Sequence, residues 1–262
     1  MSGPDPWSRV EYRRLVAWPE RIRREWPLLA ETLASAPSRR LLELGCGTGE
    51  HARALAGEGW EVLAVDRSES MLAAASEEPV PANLRFVEGD LAVLDELVEG
   101  TFGGAVCLGN TLPHLADEAA LGRFAAALAR VLEPGAPLLL QILNYDRIHE
   151  RRVRALPVSF RPHDEGELVF LRLMDPLPDG RVRFFPSTLV LRPGGEPPLV
   201  LERSREVLLR GWRRAEVEAA LAAAGVVPER ALGGFDGGAW ERLESQDLVL
   251  VARRRAGGEG PP

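Results

Sequence analysis

The residues with the clearest chemical potential in this chain form a glycine-rich turn at residues 41–49, of sequence LLELGCGTG. A hydrophobic strand that reverses abruptly into a helix needs glycines, because they permit unusual backbone angles and let a ligand approach the main chain. The turn reads G-x-G-x-G and lacks the glycine spacing of the dinucleotide fingerprint G-x-G-x-x-G. The pattern indicates a ligand site, and a plain strand-to-helix turn is the alternative.

Two aspartates follow the next predicted strands along the chain. Asp66 closes the strand at 61–65, where its carboxylate can accept two hydrogen bonds from a ribose diol. Asp90 follows the strand at 84–87, where it can accept a hydrogen bond from an exocyclic adenine amine. Ligands of α/β sheets bind at the carboxyl ends of the strands, so these positions favour a nucleoside-containing ligand. A helix cap or a turn residue is the alternative interpretation of each aspartate.

These residues require a sheet that brings successive strand ends to one edge. Hydrophobic runs predict strands at 40–44, 61–65, 84–87, 104–108 and 137–143. Helices are predicted between them, one beginning at Glu50, one capped by Ser68, and one opened by Asp117. Strands that alternate with helices in this way predict a parallel sheet with right-handed crossovers.

The two ends of the chain and the segment 144–205 differ from this alternation. Residues 7–36 have helical spacing, which Pro19 and Pro27 are expected to divide into short helices. The segment 144–205 carries strand-like runs separated by turn residues, which predict an antiparallel insertion, with runs at 168–174, 182–185 and 188–192. The remaining elements predicted are a helix at 213–224, strands at 227–232 and 247–252, and a flexible tail from 255.

Composition narrows the class of protein. The 262 residues carry a formal net charge of -7 with no concentrated basic face, so we expect no nucleic-acid partner. The sequence has no apolar run of the roughly 20 residues needed to span a bilayer, and no secretory pattern near Met1, so we expect a cytoplasmic protein without a membrane partner. Only two cysteines occur, Cys46 and Cys107, each within a predicted core element, so we expect neither a disulfide framework nor a metal site.

The glycine turn, Val65-Asp66, the 88–90 stretch EGD and the fourth strand together resemble the ordered motifs of class I S-adenosylmethionine-dependent methyltransferases. The resemblance implies a Rossmann-like α/β fold: a seven-stranded, mostly parallel sheet with helices on both faces and its last strand antiparallel. It also implies a single domain over 1–262, with an N-terminal helical cap at 1–37, a cofactor-binding core at 38–143 and 206–254, the insertion at 144–205 near the substrate site, and the tail at 255–262. The residues that it assigns to the cofactor S-adenosyl-L-methionine are Arg21, Glu43, Gly45, Cys46, Gly47, Gly49, Asp66, Arg67, Met71, Asp90, Leu91 and Leu108.

Residues 106–115 and 144–146 are similar to a narrower branch, the glycine and sarcosine N-methyltransferase-like enzymes. That resemblance places Asn110 at the methyl-transfer site. Tyr145 is interpreted as a packing residue at a strand end, and the alternative, a place lining the acceptor pocket, makes it a candidate catalytic residue. It pairs Arg21 with the cofactor carboxylate. In the branch an arginine that clamps the substrate carboxylate stands where this chain has Leu143, so glycine is a doubtful substrate unless Arg147, Arg151 or Arg152 compensates. His114 is interpreted as a packing residue.

The function predicted is methyl transfer from S-adenosylmethionine to an N, O or S atom of a small molecule. The protein would mainly orient the acceptor in line with the methyl group and exclude water. The alternatives are a non-catalytic S-adenosylmethionine-binding regulator and a nicotinamide-dependent oxidoreductase on the same type of sheet. The acceptor and the oligomeric state are left open by the sequence.

Overall fold

The computed structural model describes residues 12–256, and their strands form two separate sheets. The helices are α1 (Tyr12–Leu15), α2 (Trp18–Leu33), α3 (Glu50–Gly57), α4 (Glu69–Ala75), α5 (Leu94–Leu97), α6 (Glu118–Val131), α7 (Tyr145–Glu150) and α8 (Arg214–Ala223). The strands are β1 (Arg40–Leu44), β2 (Glu61–Asp66), β3 (Leu84–Glu88), β4 (Gly104–Cys107), β5 (Pro137–Leu143), β6 (Ser159–His163), β7 (Gly166–Pro176), β8 (Arg181–Leu191), β9 (Leu199–Ser204), β10 (Val207–Arg210), β11 (Val226–Leu232) and β12 (Asp247–Arg254). Short 3₁₀ turns occur at Leu91–Val93 and Leu112–His114.

The larger sheet has seven strands in the order β11-β12-β5-β4-β1-β2-β3. The strands β1 to β5 run parallel to one another, whereas β12 runs antiparallel to both of its neighbours, β5 and β11. The inner strands are nearly continuous apolar runs because helices cover both faces; in β5, for example, Leu138, Leu139 and Leu140 are fully buried. The predicted seven-stranded α/β fold is therefore confirmed, including its antiparallel last strand.

Local sequence determines where the helices of this layer begin. The Ser68 hydroxyl accepts a hydrogen bond from the backbone of Met71, and the Asp117 carboxylate accepts one from Ala120, so both predicted caps are confirmed. The strand ends that precede the helices meet at one edge of the sheet, which is where the candidate site lies.

The segment between α7 and α8 forms the second sheet, which is antiparallel throughout. The insertion predicted there is confirmed as antiparallel, but β8 is one strand over Arg181–Leu191 rather than the two predicted runs. Pro186 interrupted the sequence pattern. In the structure the carbonyl of Pro186 accepts a hydrogen bond from the backbone of Arg205, which lies in the link between β9 and β10. The nitrogen of Pro186 faces the same side, so the lack of an N–H there breaks no hydrogen bond between paired strands.

Two further expectations about local structure were wrong. Pro27 does not end a helix, since α2 is continuous through it. Pro27 has no N–H to donate to the carbonyl of Arg23, but both residues are exposed, so water can reach that carbonyl. The buried Leu28, Leu29 and Leu33 hold the helix against the sheet. Residues 145–150 are helical, because the Asn144 side chain accepts a hydrogen bond from Arg147 and caps α7.

The predicted helical spacing before residue 12 and the predicted tail from residue 257 lie outside the described residues. Between residues 12 and 256, no helix is both long and apolar enough to span a bilayer.

Candidate functional site

The glycine turn adopts the backbone that its composition predicts. Gly45 and Gly47 have φ angles of 75° and 54°, in the left-handed region that glycine enters without strain. A side chain at Gly45 would come within 2.2 Å of Thr111, so the turn packs tightly on that side. A side chain at Gly47 would meet no atom of residues 12–256 within 4 Å, because this glycine faces an open cavity.

This cavity, hereafter the glycine-turn cavity, is bounded by the carboxyl ends of β1, β2, β3 and β4 and by α2. The empty space in it measures about 1010 Å³, including its open mouth. The predicted site residues that line it are Arg21, Glu43, Gly45, Cys46, Gly47, Asp66, Arg67, Met71, Asp90, Leu91, Leu108 and Asn110. Gly49 does not line it and is instead the left-handed residue before α3, packed against Phe86.

The two aspartates are held in different ways at this edge. Asp66 accepts hydrogen bonds from the backbone of Gly47 at 2.8 Å and of Ser68 at 2.9 Å, one on each carboxylate oxygen. Its position is thereby fixed relative to the glycine turn. Asp90 is exposed and uses Oδ1 to cap the short turn that follows β3, accepting from Ala92 at 2.8 Å. Asp90 thus acts as a cap, which was the alternative interpretation, and it also lines the glycine-turn cavity.

Glu43 lies at the floor of the glycine-turn cavity with only 2% of its surface exposed. Its buried Oε2 has no hydrogen-bond partner among residues 12–256. Burial, together with the nearby carboxylates of Glu50 and Asp66, raises the pKa of Glu43 to about 8. An unpaired buried carboxyl is costly unless something neutralises it, so this atom marks the place where a cationic ligand group would be stabilised.

Arg21 reaches the same cavity from α2 and is oriented by buried partners. Its Nε donates to Glu25 at 2.9 Å, and the guanidinium lies 5.0 Å from the centre of the Trp18 ring. The other oxygen of Glu25 contacts Nε2 of His51, in α3, at 2.8 Å. Burial is the largest single influence on the pKa of Glu25 and raises it. The interactions with His51 and Arg21 together outweigh burial, so the pKa of Glu25 is lowered overall. Glu25 therefore links the N-terminal helix to the helix that follows the glycine turn.

A second special turn follows β4, at Gly109 and Asn110, with φ angles of 73° and 66°. A left-handed asparagine is uncommon and is retained only where its surroundings enforce it. The side-chain oxygen of Gln141 accepts from the Gly109 backbone at 2.8 Å, and Asn110 Oδ1 accepts from the Leu143 backbone at 3.0 Å. The strand β5 thus fixes this turn through a side chain and a backbone amide.

Tyr145 supports Asn110 from behind. The Asn110 Nδ2 donates to the Tyr145 hydroxyl at 3.0 Å, and Tyr145 is 1% exposed. Burial raises the pKa of the Tyr145 phenol far above its ordinary value, so the phenol stays protonated. Tyr145 lies on α7 and not at a strand end, and it lines neither cavity described here. Tyr145 is thus a packing residue, as interpreted from the sequence, although it packs behind Asn110 from a helix and not from a strand end.

A second cavity, hereafter the adjoining cavity, meets the first at four shared wall residues, Arg21, Gly109, Asn110 and His114. Its outer wall comes from the second sheet and includes Phe170 and Phe184 together with Arg161 and Arg172. Leu143 also lines it, whereas Arg147, Arg151 and Arg152, which the sequence offered as replacements for a clamping arginine, do not. The arginines that do line it lie on α2, β6 and β7 and are Arg21, Arg24, Arg161 and Arg172.

His114 stands at the junction of the two cavities. Arg67 Nη2 lies 3.2 Å from His114 Nδ1. Burial, and secondarily the Arg67 charge, lower the pKa of His114 to about 4, so its imidazole is neutral near pH 7. The interpretation as a packing residue did not anticipate its exposure to both cavities.

Sequence reasoning missed several residues of the site. Gln141 and Asp247 had no local motif, since each lies in an apolar strand and becomes meaningful only through pairing of β12 with β5. Trp18 and His51 were also missed, although a polar residue facing inward from α3 is a signal that an amphipathic analysis can detect. Within the described part of the chain, no group of three or more His, Cys, Asp or Glu side chains is arranged to hold a metal ion.

Comparisons with known proteins agree with this geometry. A family model described as a methyltransferase domain matches residues 41–135. The glycine/sarcosine N-methyltransferase of Halorhodospira halochloris is 32% identical over 172 residues, which cover 65% of this chain and 63% of that protein. The protein of the same name from Parasynechococcus marenigrum is 32% identical over 148 residues, 56% of this chain and 51% of that protein. The chain thus spans about half to two thirds of the length of these relatives.

Solved structures match over most of the fold. CalS10, an amino pentose methyltransferase from Micromonospora echinaspora solved with S-adenosylmethionine, aligns with a TM-score of 0.71 at 25% identity, covering 93% of this chain and 94% of that one. The CcbJ methyltransferase from Streptomyces caelestis aligns with a TM-score of 0.72 at 26% identity, covering 90% of both chains. The resemblance to methyltransferases predicted from the glycine turn is confirmed by these matches.

Proposed function

Because residues 41–135 match a methyltransferase domain and the fold aligns with solved methyltransferases, we propose that this chain transfers the methyl group of S-adenosylmethionine to an amine nitrogen of a small molecule. The observation that carries the proposal is the meeting of two cavities at the Gly109–Asn110 turn. A protein that only bound the cofactor would need the first cavity, whereas a transferase needs a second one that opens onto the reacting group. The choice of nitrogen is supported by the relatives named as N-methyltransferases.

The residues of the glycine-turn cavity fit the parts of the cofactor by charge. The unpaired Oε2 of Glu43 suits the ammonium of the methionine portion, and the guanidinium of Arg21 suits its carboxylate. Asp66 is held at the end of β2, where it would accept hydrogen bonds from the ribose, and Asp90 at the end of β3 would accept one from the adenine amine.

S-adenosylmethionine supplies an electrophilic methyl group when bound, so the protein's task is orientation and exclusion of water. Asn110 is held in its left-handed conformation at the junction and lines both cavities. The apolar walls contributed by Phe170 and Phe184 would displace water around the acceptor. Helix α2 carries Arg21 into both cavities, which supports the N-terminal cap and the single domain expected from the sequence.

We place this activity in the cytoplasm as part of the same proposal. The two cysteines are buried and unbridged, which suits a reducing compartment.

The test is incubation of the full chain with methyl-labelled S-adenosylmethionine and a panel of small acceptors. The panel contains glycine, sarcosine and amino sugars, with matched phenols and thiols that lack an amine. Labelled, methylated amine with release of S-adenosylhomocysteine is the expected result. Transfer only to phenols or thiols would overturn the choice of nitrogen, and tight cofactor binding without transfer to any acceptor would favour a non-catalytic binder.

A further inference from the structure

Asp247 occupies a position in the adjoining cavity that the cofactor contacts do not explain. It is the first residue of β12 and pairs in register with Leu143, the last residue of β5. This pairing brings it to the same edge of the sheet as the Gly109–Asn110 turn, and it lines the adjoining cavity. It does not line the glycine-turn cavity.

A short chain of hydrogen bonds fixes Asp247 relative to that turn. Gln141, which is 7% exposed, donates from Nε2 to Asp247 Oδ1 at 2.8 Å. The other end of the same amide, Oε1, accepts from the backbone of Gly109 at 2.8 Å. One buried amide therefore separates the Asp247 carboxylate from the residue at which the two cavities join.

The second oxygen of Asp247 is available for a ligand. Among residues 12–256, Oδ2 receives no hydrogen bond, while Oδ1 is engaged by Gln141. Of the charged groups near Asp247, Glu25 raises its pKa, whereas Arg24 and Arg21 lower it. Burial is the largest influence and raises the pKa of Asp247, which makes this carboxylate a better proton acceptor than an exposed aspartate.

We propose that Asp247 binds the amine of the acceptor through Oδ2 and receives its proton, a role that rests on the proposed N-methyl transfer. An acceptor that arrives as an ammonium ion has no lone pair with which to attack. Transfer of one proton to the Asp247 carboxylate leaves the lone pair on nitrogen and a neutral carboxylic acid. The nitrogen lone pair then forms the new N–C bond while the electrons of the methyl–sulfur bond go to sulfur, and Asp247 returns its proton to water.

The substitution Asp247→Asn tests this role with little change of shape. An asparagine keeps an oxygen for Gln141 and removes the charge and the proton acceptor. With whichever amine of the panel the wild type methylates fastest, we expect kcat/KM to fall about 100-fold or more, as for loss of a general base. The dissociation constant of S-adenosylmethionine, measured by calorimetry, should change less than about twofold, because Asp247 is outside the glycine-turn cavity.

Two further variants separate catalysis from folding and from general charge effects. Asp247→Glu retains a carboxylate and should recover at least part of the lost rate, together with the acidic limb of the pH profile that Asp247→Asn lacks. Asp164→Asn removes a carboxylate that is exposed in the turn after β6 and lines neither cavity, and it should behave as the wild type.

The outcomes distinguish the role of Asp247 from the proposed N-methyltransferase function on which it rests. Wild-type transfer to an amine with an equally active Asp247→Asn variant would overturn the role of Asp247 and leave the N-methyltransferase function intact. Loss of cofactor affinity in Asp247→Asn, in step with the loss of rate, would assign Asp247 a structural role and also overturn the proposal. Absence of wild-type transfer to every amine in the panel would overturn both.

Discussion

The two cavities that meet at Gly109 and Asn110 are built from different kinds of structure. The glycine-turn cavity is formed by turns at the ends of parallel strands, and backbone groups fix its main polar residue, Asp66. The outer wall of the adjoining cavity consists of side chains from the second sheet, such as Arg161 and Phe170. A change in the shape of the glycine-turn cavity requires a change of backbone, whereas a change in the outer wall of the adjoining cavity requires only different side chains.

This difference explains how one fold can keep its donor while the acceptor varies. Fixed backbone donors and strained turns make the glycine-turn cavity sensitive to small substitutions. A wall of side chains on a separate sheet tolerates substitution without disturbing the larger sheet. We therefore expect substitutions at the first cavity to affect cofactor affinity and those at the second to affect acceptor turnover.

The largest expected effect is that of Gly47→Val. In the described part of the chain no atom lies within 4 Å of a side chain added here, so that side chain would project into the space that the cofactor needs. We expect the dissociation constant of S-adenosylmethionine to rise at least about 100-fold in calorimetry, equivalent to roughly 2.7 kcal/mol.

The matched control is Gly194→Val. Gly194 also has a left-handed φ, 80°, and an added side chain would lie more than 4 Å from its surroundings within residues 12–256. It lies outside both cavities. Both variants should pay a similar backbone strain of about 1–3 kcal/mol in thermal or denaturant unfolding. Equal cofactor affinity in the two variants would refute the assignment of Gly47 to the binding site.

The pH dependence of cofactor binding tests the role of Glu43. Since its pKa in the free protein is about 8, Glu43 is mostly protonated at pH 7. An ammonium favours the carboxylate, so binding should release a proton and affinity should rise with pH, by up to about tenfold per unit between about pH 6 and 7.5. Calorimetry in buffers of different ionisation enthalpy measures the released proton.

Glu43→Gln is the control for that experiment, because it removes the titrating group and keeps the shape. Its affinity should be lower than that of the wild type and should lose this pH dependence. A wild type whose affinity is flat over this range would contradict the pairing of Glu43 with the ammonium.

A smaller effect is expected for Glu25→Gln, which weakens the link between Arg21 and His51. Because Arg21 loses its charged partner, cofactor affinity should fall about tenfold, and the free energy of unfolding should fall by about 1–3 kcal/mol. Glu31→Gln on the same helix breaks only an exposed ion pair with Arg230 and should cost less than about 1 kcal/mol without affecting affinity. Parallel behaviour of the two variants would show that Glu25 does not position Arg21.

The smallest expected effect is that of Tyr145→Phe, which removes the hydroxyl behind Asn110. One neutral hydrogen bond is worth about 0.5–1.5 kcal/mol, so kcat should fall about 3- to 10-fold while cofactor affinity stays unchanged. A fall in affinity with unchanged kcat would show that Tyr145 acts on the donor side of the junction instead.

Sequence reasoning predicted the glycine-turn cavity because its determinants are local. The strand, the turn and the helix cap around Gly45 and Gly47 lie within one short stretch, and the parallel sheet then brings Asp66 and Asp90 to the same edge. Such patterns depend on backbone requirements that few residue types satisfy.

The adjoining cavity could not be predicted in the same way because its residues meet only through long-range pairing. Asp247 reaches Gln141 across residues far apart in sequence, and only the register of β12 on β5 shows that they touch. The strands β6, β9 and β10 escaped prediction because β6 contains Pro162 and mixed polar residues, and β9 and β10 are edge segments without a clear alternating pattern.

The most direct test of the whole account is calorimetric titration of the full chain with S-adenosylmethionine and, separately, with NAD. We expect that one S-adenosylmethionine binds per chain at the glycine-turn cavity and that NAD gives no heat of binding. Absence of S-adenosylmethionine binding, or binding of NAD in its place, would contradict the assignment of the glycine-turn cavity and every role derived from it.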